Sequence, residues 1–244
     1  MAHTPHTPHT PRSTGRPARQ NVTFDSQGGT AHGYLALPAP GHGPGVIVIQ
    51  EWWGLTDHIA DVADRLAAEG FVALAPDLYG GNVAHDSQEA FAMMRDLPVE
   101  RGVELLSGAV DCLLALPQVT SDTVGAVGFC MGGGFVLYLA AEDQRVSAAV
   151  PFYGVIQGEV PDFSRLKAQI LGHYAERDEA IPQATLDGLR TAITSQSGVT
   201  PDFRIYPADH AFFNDGRPET YDEQASHEAW TSTIEFLASS FSQS

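Results

Sequence analysis

Cys130 lies in the stretch Val124-Gly-Ala-Val-Gly-Phe-Cys-Met-Gly-Gly-Gly134, where a short apolar run leads straight into a helical pattern. Gly128, Gly132 and Gly133 surround it, as a strand that turns abruptly into a helix would require, because only glycine tolerates the crowding at such a corner. The spacing Gly-x-Cys-x-Gly is that of a nucleophile elbow with sulfur in place of oxygen. An elbow lifts its central side chain out of the backbone, and the helix N-terminus beneath it favours negative charge there. A thiol titrates near ~8.5, so a histidine must also be at hand to populate the thiolate at neutral pH. The plainer reading of the same stretch is a glycine-rich turn around an ordinary buried cysteine.

A base and an orienting acid belong in loops that follow strands, downstream and in the order acid then histidine. Asp178 falls in the loop His173 to Pro182, past one expected strand, and His210 falls in the loop Pro207 to Phe213, past the next. Glu176 and Glu179 are rival acids beside Asp178. The remaining histidines compete less well: His3, His6 and His9 sit in the N-terminal repeat, His32 and His42 precede the parallel core, His58 and His227 belong to helices, and His85 reads as a surface residue. His173 ends a strand close to Asp178 and is expected to pack against the site without taking part.

The elements that must carry these residues alternate along the chain. Residues 1 to about 20 repeat His-Thr-Pro and then run through Arg, Ser, Gly and Pro, a composition expected to remain a disordered tail. Residues 21–244 are expected to form one domain. Val22 to Leu37 reads as an edge hairpin, and the continuous apolar run Val46 to Ile49 as a strand buried on both faces. A helix capped by Thr56 and closed by Gly70 follows, then a strand from Phe71 to Ala75. Further helices are expected over Ser87–Arg95, Glu100–Leu116, Met131–Ala141, Pro182–Thr194 and Tyr221–Phe241, with strands at Thr123–Val127, Ala148–Phe152, Gln169–His173 and Phe203–Tyr206. This alternation predicts an α/β fold with a doubly wound, mostly parallel sheet flanked by helices.

Composition narrows the function. Thirty acidic against thirteen basic residues give a net charge of −17, which argues against nucleic acid and anionic membranes as partners. Two cysteines do not make a disulfide framework, and Cys112 fits a helical core position, so a reducing, cytoplasmic compartment is expected. The chain has no run of eighteen apolar residues and no signal-peptide core. Its one lysine, Lys167, offers no Schiff-base site, and neither a phosphate-cradling nor a metal-ligand spacing appears, so no cofactor or metal is expected. The oligomeric expectation is a monomer or small homo-oligomer.

Taken together, Glu51-Trp-Trp-Gly54, Pro76-Asp-Leu-Tyr79, the elbow, Pro151-Phe-Tyr-Gly154 and the Asp178 and His210 loops resemble the dienelactone hydrolase family over residues 22 to about 240. The resemblance implies an α/β-hydrolase fold and a carboxylic ester or lactone hydrolase. In that reading Cys130 is the nucleophile, His210 its base, Asp178 the orienter and Glu51 a partner of the thiol, with the oxyanion hole at the backbone amides of Trp52 and Met131. Each such amide is worth ~3 kcal/mol in the transition state. The pocket is expected to be lined by Trp53, Tyr79, Phe129, Tyr153 and Asn214. Family members that cleave dienelactone carry two arginines for the substrate carboxylate; here those positions are Gly81 and Asn214, and Arg217 is the nearest cation in sequence. Small neutral esters are therefore expected to be favoured over dienelactone itself. Two other classes remain open: a redox thiol with Cys112 as resolving partner, and a non-catalytic binding protein on the same scaffold. Ester turnover abolished by thiol alkylation separates the enzyme from both.

Overall fold

The computed structural model describes residues 19–26 and 29–242. Eight strands, β1 (Val22–Ser26), β2 (Gly29–Ala36), β3 (Gly43–Ile49), β4 (Val72–Pro76), β5 (Val119–Phe129), β6 (Val146–Phe152), β7 (Gln169–Ala175) and β8 (Asp202–Tyr206), form one sheet in the order β1-β2-β4-β3-β5-β6-β7-β8. β1 and β2 pair antiparallel, and β2 pairs antiparallel with β4; from β4 to β8 every pairing is parallel. The central strands are buried along most of their length, which explains their uninterrupted apolar runs.

Among the described residues there are six helices: α1 (Asp57–Ala68), α2 (Ser87–Arg95), α3 (Val99–Ala115), α4 (Met131–Glu142), α5 (Gln183–Ser197) and α6 (Glu223–Phe241). In α1 the Thr56 hydroxyl accepts from the Ile59 amide, and Ile59, Val62, Ala63, Leu66 and Ala67 are buried at helical spacing. Each of its larger apolar side chains contributes roughly 2 kcal/mol on burial. α1 and α6 share one face, where the Arg65 guanidinium lies 4.3 Å from the Trp230 ring centroid. α3 and α4 pack together on the other face, and a 3-10 turn at Phe163–Arg165, between β6 and β7, packs against both α4 and α5. Every residue of α4 from Met131 to Ala141 is buried, so it is the central helix of its layer.

The sequence-based boundaries shift at a few places. β5 starts at Val119 rather than Thr123, because its first residues alternate between exposed and half-buried positions before the strand enters the core. α6 starts at Glu223 rather than Tyr221, because the Asp222 side chain accepts from the Ala225 amide and caps it. Arg19 and Gln20, expected in the tail, are tied to the domain: Arg19 pairs with Asp57 at 3.1 Å and Gln20 donates to Asp77 at 2.6 Å. The sequence could not show those distant acceptors. The expected tail over residues 1–18, with His3, His6 and His9, lies outside the described residues.

Candidate active site

β5 ends at Phe129 and α4 begins at Met131, leaving Cys130 alone on the corner with φ 52° and ψ −115°. A non-glycine residue in that region stores of order 1–3 kcal/mol of strain, which the surrounding bonds must hold. They do: the Cys130 amide donates to Phe152 O at 3.0 Å, and Cys130 O accepts from Gly134 N at 3.2 Å and Val155 N at 3.1 Å. Glycines let the backbones approach, since a Cβ on Gly132 would overlap the carbonyl oxygens of Ile49 and Gln50, and one on Gly128 the carbonyl of Gly132. The corner is therefore wedged between the ends of β3 and β6 with its side chain half-exposed.

His210 reaches this sulfur from the loop after β8. Its Nε2 lies 3.2 Å from Cys130 Sγ, and its Nδ1 lies 2.6 Å from Asp178 Oδ2. The Asp178 side chain is 1 % exposed, and its other oxygen accepts from the amides of Ala180 and Ile181 at 2.9 and 3.2 Å. Glu176 and Glu179 point into solvent, so the buried acid in the loop is Asp178. Burial opposes a charged imidazole at His210, but its hydrogen bonds to Asp178 and Cys130, with the charges of those groups, outweigh it and raise its pKa to about 10. An imidazolium there donates from both nitrogens, one to carboxylate and one to sulfur. Such a chain can hold a thiolate, pass a proton to a leaving oxygen and take one from water.

The three non-glycine residues at positive φ among the described residues all belong to this region: Cys130, Tyr153 at 37° and Ala211 at 64°. Nothing in the sequence marks Ala211. Tyr153 is fully buried, its amide donating to His173 O at 2.6 Å and its ring centroid 5.1 Å from that of His210. Its hydroxyl donates to Glu51 Oε1 at 3.4 Å, and burial, then the charges of Glu51 and Cys130, push its pKa well above 10. Glu51, 3 % exposed at the end of β3, accepts at Oε2 from Asn214 Nδ2 at 2.6 Å.

The expected site residues lie in different surroundings. The hydrogen-bonded partners of Glu51 are Tyr153 and Asn214, while the sulfur faces His210. Asn214 is 5 % exposed; its Nδ2 donates to Glu51 and its Oδ1 accepts from Gly216 N. Tyr153 is likewise buried. Phe129 is fully buried between Phe152 and Phe213, at 4.8 and 5.3 Å between centroids, because the last residue of a central strand still points into the core. Trp52, Trp53 and Tyr79 keep partly exposed rings. The Tyr79 hydroxyl reaches Met131 Sδ at 3.3 Å, and the two Trp rings meet edge to face at 5.1 Å. Gly132 seats the first turn of α4 on the carbonyls of Ile49 and Gln50, which brings the start of α4, with Met131, against the end of β3 just before Glu51 and Trp52. Arg217 does not stand free: it lies 5.4 Å above Trp53 and pairs with Glu219 at 2.8 Å.

Away from this corner, His173 is buried between the hydroxyls of Tyr206 and Thr233, and burial, then the charge of Arg204, drives its pKa down to about 3. Thr233 donates to Ala229 O, so the His173 Nε2–H donates to Thr233 and Nδ1 accepts from Tyr206. The His58 side chain, 8 % exposed, packs against Phe129 and Phe213 and pairs with Asp215 at 3.0 Å. His32, His42, His85 and His227 are exposed. Cys112 and Cys130 are both free, and burial pushes the Cys112 thiol up. Among the described residues no group of three His, Cys, Asp or Glu could hold a metal ion, and no helix is long and apolar enough to cross a membrane.

Sheet order, strand–corner–helix geometry and the loops that meet over Cys130 define an α/β-hydrolase. The chain belongs to the dienelactone hydrolase family, whose model matches residues 31–241. It is similar to Protein usf of Aquifex pyrophilus, with 35 % identity covering 89 % of this chain and 97 % of that one. A relative from Aquifex aeolicus, provisionally named a carboxymethylenebutenolidase, is 32 % identical with the same coverage. A crystal structure from Klebsiella pneumoniae, provisionally named a dienelactone hydrolase, superimposes with a TM-score of 0.81 at 32 % identity, covering 90 % of this chain and 97 % of that one. The protein is thus a hydrolase of this family.

Proposed function

We propose that the protein is a cysteine-dependent hydrolase of small, uncharged carboxylic esters and lactones. The observation that carries this reading is the unbroken hydrogen-bonded chain from Asp178 through His210 to the sulfur of Cys130. The thiolate attacks the acyl carbon, and the oxygen that takes the negative charge is received by the Trp52 and Met131 amides, each worth about 3 kcal/mol in such a hole. As the tetrahedral species collapses, the C–O bond breaks and the His210 imidazolium gives its Nε2 proton to the leaving oxygen. A thioester remains. Water then attacks it, His210 takes the water's proton, and the second collapse returns the acid and the Cys130 thiolate.

The substrate class follows from charge. A carboxylate entering this corner needs a cation, yet Gly81 is neutral, Asn214 is bound to Glu51 and Arg217 is paired with Glu219. The net charge of −17 repels anions at longer range. p-Nitrophenyl acetate or butyrate should therefore exceed cis-dienelactone in kcat/KM by about tenfold or more. Cys130→Ala should lower ester turnover at least ~100-fold while keeping the fold. Full activity in that variant would defeat the cysteine mechanism. A reversed substrate ranking abolished by Arg217→Ala would show that Arg217 grips a carboxylate and that the activity is dienelactone hydrolysis in the narrow sense.

A further inference from the structure

The hydrogen bonds that fix His210 in place begin one residue before it. Segment 207–209, which carries the chain from β8 to His210, accepts hydrogen bonds from outside itself at three points, and among the described residues all come from Arg177. The Arg177 amide donates to Ala208 O at 3.1 Å, Nη1 to Pro207 O at 2.8 Å, and Nε and Nη2 to the two oxygens of Asp209 at 3.0 and 3.1 Å. Arg177 and Asp209 immediately precede Asp178 and His210. Two adjacent pairs thus cross the gap between the loops after β7 and β8, an outer one of Arg177 with Asp209 and an inner one of Asp178 with His210. On the far side His210 is followed by Ala211 at φ 64°, a strained turn that needs an outside restraint.

We infer that Arg177 is a positioning residue, which straps the histidine loop to the acid loop and so holds His210 between Asp178 and the thiol. The inference rests on the reading of His210 as the base of the reaction. Isolated exposed ion pairs contribute little to stability, and Arg177 and Asp209 are 53 % and 50 % exposed. The value of the strap is geometric. A planar guanidinium can bond two carboxylate oxygens and a carbonyl at once in fixed directions, which a lysine ammonium on a flexible stem cannot. Loosening it lengthens the Asp178–His210 and His210–Cys130 contacts together, and those contacts are what keep the imidazole charged.

The test uses full-length Arg177→Gln, Arg177→Lys, Asp209→Asn and the Arg177→Gln/Asp209→Asn double variant. Each is read by kcat and KM on p-nitrophenyl acetate, by the NMR titration of the His210 ring proton, and by thermal unfolding. Arg177→Gln should lower kcat about tenfold, as a displaced catalytic group does, with KM within about twofold of wild type. Its His210 titration should move down from about 10, and unfolding should change little. Arg177→Lys should recover only part of the loss, and the double variant should be no worse than Arg177→Gln. An unchanged kcat and titration in Arg177→Gln would overturn the inference, as would loss of activity matched by loss of fold. The titration needs no substrate, so the strap remains testable even if ester turnover fails, whereas activity retained by Cys130→Ala would defeat the cysteine mechanism alone.

Discussion

The carboxamide of Asn214 lies 2.6 Å from the carboxylate of Glu51, a buried bond that joins residues 163 positions apart beside the candidate site. A buried carboxylate costs several kcal/mol unless its oxygens are bonded, and here the donors are a neutral amide and a phenol. Asn214→Ala should leave Glu51 short of a partner and lower the unfolding free energy by about 1–3 kcal/mol. Urea denaturation of this variant beside Glu51→Gln/Asn214→Ala reads the effect. The double variant should recover part of the loss, because an amide at position 51 tolerates a missing donor better; an equal or larger loss would mean that the lost Asn214–Glu51 bond is not what destabilises the single variant.

Asp178 holds the imidazole through a bond to Nδ1 while its second oxygen is fixed by two backbone amides. Asp178→Asn preserves the shape but removes the charge, and should reduce turnover by about 10³ or more, as in the serine triad. Glu176→Gln and Glu179→Gln, both on exposed side chains, should leave turnover within about twofold. Steady-state assays of the three variants on one ester decide whether the acid is Asp178.

His210 carries its pH dependence in its raised pKa of about 10 against an ordinary 6.5. A proton bound more tightly in the folded state stabilises the fold in full below pH 6.5, less as the pH rises beyond it, and no longer above about 10. The urea midpoint of wild type should accordingly exceed that of His210→Gln most at pH 6, with the gap narrowing by pH 10. A gap that widens with pH would mean the imidazole is neutral in the folded protein.

Gly132 and Gly188 separate the two uses of glycine in this chain. A Cβ at Gly132 collides with the carbonyls of Ile49 and Gln50, so Gly132→Ala should cost about 3 kcal/mol or more and spoil the corner that carries Cys130. Gly188 lies exposed within α5 with nothing within 4 Å of its Cβ position, and Gly188→Ala should stabilise by about 1 kcal/mol through helix propensity. Thermal melts of the two variants should move in opposite directions.

What the sequence by itself determined is written in near neighbours. The apolar runs of β3 and β4, the period of α1 with its Thr56 cap, and the need for glycine at Gly128 beside the Gly132 carbonyl each follow from contacts within a few residues or from burial on both faces of a strand. Chain order added that Asp178 and His210 follow Cys130 at strand ends, where a parallel sheet gathers its loops. Only the tertiary structure decided which of those loop residues meet. Glu51 bonds Asn214 and Tyr153, Phe129 turns into the core, and Arg177 clasps Asp209 while its neighbour Asp178 turns inward to His210. The reason is physical: a hydrogen bond is made within about 3 Å along a fixed direction, so its partner is set by how two distant loops lie over the sheet and not by the residues beside it in the chain.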